Sequence, residues 1–183
     1  MKRIFSIGKG VRVSDSTKVF PLLNCGDSNS GLPGDLLENF SLAAGEIEPL
    51  RHSKIHLMPL VTQVTFVLQG ELEAWMKDAD QIEPYSLRLK AEQAILTRPG
   101  TFLQFRNPTG LPCRVLYIVS PAYVFLREGE RVVYDDSVVM EGNWEELEKI
   151  NWKPGALRSL DSIRAARELA QKRFMDPSRQ TSP

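Results

Sequence analysis

Two histidines and a glutamine in the first half of the chain are the side chains best suited to chemistry. His52 and His56 are the two histidines of the sequence, and Gln63 follows them closely. His52, His56 and Met58 are separated by even numbers of residues, and side chains alternate between the two faces of a strand. One unbroken strand would therefore place all three on the same face, where an imidazole can bind a metal ion, transfer a proton or hold a polar ligand.

The spacing that begins at His56 resembles the first metal-binding motif of cupins. That motif has His, any residue, His, then Glu after four residues and Gly after six more. This sequence has His56, Met58, Gln63 and Gly70 at those places. One of the three metal ligands of the motif is therefore retained.

A second, looser match lies further along the chain. The second cupin motif places its ligand histidine between a Pro-x-Gly and an Asn, and counting from Gly100 and Asn107 puts Leu103 at that place. Glu92 and Arg98 stand where the motif has its first Gly and its Pro. The two motifs span residues 40–125, so the resemblance covers the middle of the chain.

The resemblance implies an all-β fold, a cupin-like double-stranded β-helix (jelly-roll barrel), here with C-terminal α-helices. Runs rich in Val, Ile, Leu, Thr and aromatic residues, separated by Gly, Pro, Asn or Asp, independently favour an all-β barrel or sandwich. Gly70 suits a hairpin turn because glycine tolerates positive φ. The predicted strands are Val19–Leu23, Phe40–Leu42, Ile55–Met58, Val61–Leu68, Glu71–Met76, Ser86–Lys90, Ala94–Thr97, Phe102–Arg106 and Arg114–Val119.

The residues at the ligand positions predict no metal and no other cofactor. His56 is a good ligand for divalent transition metals, but a Gln amide is a weak neutral donor, Leu has no lone pair, and thioether sulfur suits Cu(I). A non-standard site built from His52, His56 and Gln63 is the alternative. Otherwise His56 is a buried residue, hydrogen-bonded to a neighbour such as Gln63, and His52 is an exposed residue at the barrel rim.

Alternation predicts a mostly apolar barrel interior with a few polar groups, which is typical of small-molecule sites. The alternative is an interior filled by its own side chains. The predicted ligand-binding residues are His56, Met58, Gln63, Thr65, Trp75, Leu103 and Phe105. We expect His56 and Gln63 to position a small, largely apolar or aromatic molecule.

Two classes of function follow. The first is a non-catalytic cupin-like protein that binds a small organic ligand in the barrel without the usual metal site. The second is an enzyme: a metal-dependent dioxygenase or isomerase with a degenerate site, or a metal-free isomerase or lyase with His56 as its general base. No catalytic residue is assigned in the first class. Cys113 is expected to be an inert thiol.

The flanks predict four segments: an N-terminal arm and loop over 1–38, a barrel core over 39–125, a C-terminal strand and helical extension over 126–176, and a flexible tail over 177–183. Asn143 and Glu146 form a capping-box pattern for a short helix to about Ile150. A longer helix is predicted from Ser159 to Phe174, with an apolar stripe that packs in the core or in a dimer; a dedicated partner-binding helix is the alternative.

The composition of the chain limits which classes of partner we expect, and it predicts neither nucleic acid nor a membrane. Lys plus Arg equals Asp plus Glu, at 23 each in 183 residues, so no net field draws the chain to nucleic acid. No apolar run is long enough to span a bilayer, and no secretory leader is evident, which predicts a cytoplasmic protein. The resemblance implies a homodimer, with the N-terminal arm packing across the partner subunit.

Overall fold

The described residues form two antiparallel sheets, a separate hairpin and two helices. The structure, a computed structural model, describes residues 6–7, 9–23, 39–128, 131–149 and 159–174. The first sheet has the strand order β1 (Val11–Arg12), β2 (Lys18–Leu23), β3 (Ser41–Ile47), β10 (Cys113–Ser120), β5 (Thr62–Gln69) and β8 (Ala94–Thr97). The second has the order β13 (Val138–Val139), β4 (His56–Leu57), β9 (Phe102–Arg106), β6 (Glu71–Lys77) and β7 (Tyr85–Lys90). The hairpin pairs β11 (Phe125–Glu128) with β12 (Arg131–Asp135).

The two sheets pack face to face as a jelly roll, which confirms the predicted all-β fold class. Every second residue of β5, β6 and β10 is buried, as the strand period requires. One core cluster joins both inner faces, with Val67 and Val115 from the first sheet and Leu72, Leu103 and Phe105 from the second.

The eight strands predicted between residues 40 and 120 are all present, although their ends differ. The largest difference is in β3, which continues to Ile47 instead of ending at Leu42. Gly70 has a φ of 84° in the turn between β5 and β6, as the hairpin prediction requires. Strand β1 was not predicted, and the described part of the chain from Phe125 onward contains three strands where one was expected.

Both sheets extend beyond the predicted core of residues 39–125. β2 pairs with β3 at one edge of the first sheet, and β13 pairs with β4 at one edge of the second. Residues 24–38 of the predicted N-terminal arm and loop, and the predicted tail over 177–183, lie outside the described residues.

Two helices follow the strands: α1 (Trp144–Lys149) and α2 (Leu160–Phe174). The capping box is confirmed, because Asn143 Oδ1 accepts from the Glu146 amide and Glu146 Oε2 accepts from the Asn143 amide, each at 3.0 Å. α1 packs Trp144 against the outer face of the second sheet, and α2 buries Ala170 against β11. Neither helix of the described chain is long and apolar enough to cross a membrane.

Candidate functional site

A cavity of about 90 Å³ lies between the two sheets, beside the turn that joins β1 to β2. Its apolar wall consists of Val11, Val13, Val19, Pro21, Ala43, Met58, Phe105, Val119 and Phe125. The lining residues with polar groups are Asp15, Thr17, Ser41, His56, Gln63, Tyr117, Tyr123 and Ser137. The cavity is therefore mainly apolar with a few polar groups, as small-molecule sites are.

His56 is oriented in this cavity by two oxygen atoms. Its Nδ1 lies 3.0 Å from the Lys54 carbonyl oxygen and 3.4 Å from Asp15 Oδ2. A carbonyl can only accept, so Nδ1 carries a proton. Within the described residues no hydrogen bond involves Nε2, the other ring nitrogen. When the ring is neutral, Nε2 therefore holds the lone pair that can accept a proton or a hydrogen bond.

Asp15 is held in place by its own turn. Its Oδ1 accepts from the Thr17 amide and its Oδ2 from the Thr17 hydroxyl, both at 2.9 Å, which is the Asx-turn pattern of a short acidic side chain. The Lys54 amide donates to the Asp15 carbonyl at 2.7 Å, which ties the turn to the segment that precedes β4. The side chains of Asp15 and His56 are 9% and 6% exposed, so the pair is buried.

Gln63 and Tyr117 complete the polar part of the wall. Gln63 Nε2 donates to the Thr65 hydroxyl at 3.0 Å, so the partner predicted for His56 is bonded elsewhere. Tyr117 stacks on Phe105 with ring centroids 6.2 Å apart. Burial, followed by the charge of Asp15, raises the pKa of Tyr117 well above its usual value, so the phenol stays protonated.

Gly45 makes room for Tyr117. A Cβ at position 45 would lie 2.3 Å from Tyr117 Cε2 and 2.9 Å from its hydroxyl oxygen. Contacts this close do not occur between non-bonded atoms, so the ring lies over the bare backbone of β3.

A third polar group of the wall reaches the C-terminal strands. Tyr123 donates a short hydrogen bond to Asp135, whose other oxygen accepts from Ser14 at 2.6 Å. Burial raises the pKa of Asp135, while the bonds from Ser14 and Tyr123 lower it. Ser137 Oγ is buried beside them and makes no hydrogen bond within the described chain.

The comparisons with known proteins identify the fold. No family model matches the sequence, and no curated protein matches it either. Oxalate decarboxylase from Lactobacillus farciminis, in its formate complex, aligns with a TM-score of 0.53 and 15% identity over 72% of this chain and 33% of that one. Drosophila melanogaster CENP-C bound to CAL1 aligns with a TM-score of 0.50 and 12% identity over 61% of this chain and 76% of that one. A structure of the Drosophila melanogaster CENP-C cupin domain aligns with a TM-score of 0.48 and 11% identity, over 60% of this chain and 72% of that one.

The chain has the cupin fold. At these identities the alignments show the fold and leave the activity open, since one fold hosts many functions.

The residues at the cupin ligand places do not fit a metal ion. Met58 and Gln63 line the cavity with His56, and Leu103 is the cross-strand partner of His56. None of the three is a carboxylate, thiolate or imidazole. Among the described residues there is no group of three or more His, Cys, Asp or Glu side chains placed to share a metal.

The alternative metal site from His52, His56 and Gln63 is wrong. The chain between the two histidines is not one continuous strand, so their even spacing does not put them on one face. His52 is exposed, as expected of a residue at the barrel rim. Its Nδ1 lies 3.3 Å from Gln104 Nε2, and His52 does not line the cavity.

Six of the seven predicted ligand-binding residues face the interior, in two groups. His56, Met58, Gln63 and Phe105 line the cavity. Thr65 and Leu103 are fully buried on the inner faces but pack into the core beside it. Both predicted interiors are therefore present, because one part of the barrel is hollow and another is filled by its own side chains.

The inward orientation predicted for Trp75 is wrong. Its neighbours Ala74 and Met76 face the core, whereas Trp75 packs on the outer face against Trp144 of α1 and under the guanidinium of Arg106. The outer face of β6 also carries Glu71, Glu73 and Lys77, and the apolar Trp75 among them is covered by α1. The alternation of Leu72, Ala74 and Met76 marks the opposite face of β6 as the inward one.

Sequence reasoning missed Asp15, Tyr117, Tyr123 and Ser137. Asp15-x-Thr17 is a local turn signal, but nothing in the sequence links it to His56, which lies 41 positions later. Tyr117 shares an alternating set with Val115 and Val119, yet Leu116 and Ile118 make the other face of β10 equally apolar.

Proposed function

We propose that this cupin-fold chain binds a small organic molecule in the cavity, without the usual metal site and without catalysis. The observation that carries the proposal is a mainly apolar cavity into which the buried Asp15 and His56 pair presents a fixed polar edge. Within the described residues His56 Nε2 makes no hydrogen bond, and a buried polar group without a partner is costly, so binding of a ligand at this edge is favoured.

The cavity volume limits the ligand. A cavity of 90 Å³ is smaller than the usual range for drug-sized ligands. An engineered apolar cavity of about 150 Å³ accommodates benzene, so in proportion we expect a molecule of roughly four or five non-hydrogen atoms here. An aromatic ligand, which the sequence suggested, would require the wall to move.

A thermal-shift panel of small alcohols, amines, ketones and acids tests this proposal, because a ligand that binds the folded state raises the melting temperature. Ala43→Leu adds three carbon atoms inside the cavity and should abolish the shift. Ala79→Leu is the matched control, because Ala79 is exposed in the turn between β6 and β7. If no compound binds, or if hits bind Ala43→Leu unchanged, the cavity is not the site.

A second candidate function is metal-free proton transfer, as in an isomerase or lyase. Asp15 supports it, because a carboxylate beside Nδ1 orients an imidazole and stabilises its protonated form. A base of this kind would exchange a carbon-bound proton of the ligand with solvent.

Deuterium exchange separates binding from catalysis. A ligand from the panel, incubated with the protein in D₂O, should show no exchange beyond the buffer rate if the chain is a binding protein. Exchange that disappears in His56→Gln and slows in Asp15→Asn would instead establish the enzymatic function.

We also propose that the chain forms a homodimer through the outer face of its first sheet. Leu68, Leu96 and Ile118 are 48%, 53% and 36% exposed on that face, with Phe66 and Leu116 between them. A second copy is the occupant we favour, because copies with zero net charge do not repel each other and a two-fold pair matches apolar surface with itself.

Light scattering should give twice the chain mass of 20.7 kDa. Ile118→Glu should give the monomer mass, while Leu111→Glu, at an exposed residue of the β9 to β10 turn, should not change the dimer. A monomeric parent chain at micromolar concentration contradicts the proposal.

A further inference from the structure

The charges that line the cavity have one sign. Asp15 is a carboxylate, and the described lining residues include no lysine and no arginine. Among the described residues of the lining, His56 is the one that can become positive, and its protonation would bring the charge of these residues to zero. An anion in this cavity would therefore meet a like charge in a dry environment, whereas a cation would meet an opposite one.

Aromatic rings surround the same space. Phe105, Tyr117, Tyr123 and Phe125 all line the cavity. The face of an aromatic ring is electronegative, and it attracts alkylammonium groups as well as the side chains of Lys and Arg. Carboxylate and aromatic faces together are the chemistry that recognises organic cations.

Two hydroxyl oxygens of the cavity lining make no hydrogen bond to any other described residue. Tyr117 is 7% exposed, and no hydrogen bond of its hydroxyl is made within the described residues. Ser137 Oγ is likewise buried and unpartnered within the described chain. Two hydrogen bonds from Thr17 and the longer contact with His56 leave Asp15 with spare acceptor capacity, since a carboxylate has about four lone-pair sites.

We propose that the cavity selects a small organic cation, a protonated primary amine with a short branched hydrocarbon group. This inference rests on the proposed binding function and names its ligand class. The ammonium N–H groups donate to Asp15 and to the Tyr117 and Ser137 hydroxyl oxygens, and the hydrocarbon part occupies the space walled by Ala43, Met58 and Val119.

Three compounds of nearly equal shape test the charge selection: isobutylamine, isobutanol and isobutyrate. Titration calorimetry at neutral pH should rank the amine first and the carboxylate last, with the amine about tenfold or more tighter than the carboxylate. Asp15→Asn should weaken amine binding about tenfold and leave isobutanol within about threefold. Asp161→Asn, at an exposed position of α2, is the matched control and should change nothing.

Tyr117→Phe provides a second variant if Asp15→Asn does not fold, because it keeps the ring and removes only the acceptor. It should weaken the amine more than it weakens a saturated hydrocarbon probe of the same size. Isobutyrate or isobutanol binding as tightly as the amine would overturn the charge selection and leave the proposed binding function standing. Failure of all three to bind would overturn the binding function, and the charge selection with it.

Discussion

Arg167→Met should loosen the wall of the cavity by removing the cation that faces a buried carboxylate. Arg167 Nε lies 3.0 Å from Asp136 Oδ1 and 3.2 Å from Oδ2, and its guanidinium also donates to the Ala122 carbonyl. The side chains of Arg167 and Asp136 are 11% and 1% exposed. This clamp joins α2 to the segment that carries Tyr123, Phe125 and Ser137 of the cavity.

The magnitude follows from the burial of Asp136. Removing one member of a buried ion pair costs about 3–5 kcal/mol, because the other charge is left without its partner. Asp136 keeps two donors, the Val124 amide at 2.8 Å and the Tyr134 hydroxyl at 2.9 Å, so we expect the lower end, about 3 kcal/mol. Adding Asp136→Asn removes the orphaned charge and should recover about half of the loss or more.

The pH dependence has a definite sign. Burial raises the pKa of Asp136, and Arg167 lowers it again. Without Arg167 the pKa of folded Asp136 rises further above that of the unfolded chain, so the folded variant takes up a proton more readily as the pH falls. The cost of Arg167→Met should therefore shrink at acidic pH and be largest at neutral pH.

Urea denaturation of the two single variants and the double variant measures these terms. Arg164→Met is the matched control, because Arg164 lies on the same helix and pairs with Asp161 on the surface, with side chains 60% and 92% exposed. That change should cost no more than about 0.5 kcal/mol. If Arg167→Met costs no more than Arg164→Met, or if its cost does not fall at acidic pH, the buried ion pair between Arg167 and Asp136 does not stabilise the fold as we expect.

Three further changes test other parts of the structure. Glu92 has a φ of 71° in the turn between β7 and β8, a conformation that glycine adopts without strain. Glu92→Gly should therefore stabilise the fold by about 0.5–1 kcal/mol in urea denaturation. An equal gain in Glu92→Ala would show that relief of backbone strain is not the cause. Burial raises the pKa of Cys113 to about 11, so the native thiol should resist alkylation at pH 8, and rapid labelling of folded protein would contradict this. The thiol of the unfolded chain ionises at lower pH than that of the folded chain. The free energy of unfolding of the parent chain should therefore fall, relative to that of Cys113→Ala, as the pH rises from about 9 to 11. Gly45→Ala should cost about 1–3 kcal/mol and abolish ligand binding, because the Cβ displaces Tyr117; retained binding would show that the ring is not fixed.

Local signals in the sequence predicted most of the fold. The Asn143 and Glu146 capping box and the Gly70 turn involve residues close in the chain, so their types were sufficient. Strands β1, β12 and β13 were missed for the opposite reason. Strands β1 and β13 have two residues each, too few for a period, and all three are defined by the strands they pair with.

The candidate site was half predictable. Alternation correctly placed His56, Met58, Gln63 and Phe105 on the cavity wall, because both sheets keep a strict inward period there. The prediction failed at Trp75, which shares the outer face of β6 with Glu71, Glu73 and Lys77 and is covered there by α1. The other half of the site depends on contacts between distant segments, which a single sequence does not encode in any local pattern.

Among the residues placed by contacts between distant segments, Asp15 has the greatest consequence for function. The sequence alone assigns no carboxylate that would orient His56. The fold supplies the carboxylate from the β1 to β2 turn, held rigid by Thr17 and joined to Lys54. The imidazole is thus fixed by a carboxylate and a carbonyl instead of a metal ion, and the same carboxylate sets the charge of the cavity. Asp15→Asn is therefore informative for both candidate functions: loss of amine binding without deuterium exchange identifies a receptor for organic cations, and slowed exchange with binding retained identifies a proton-transfer enzyme.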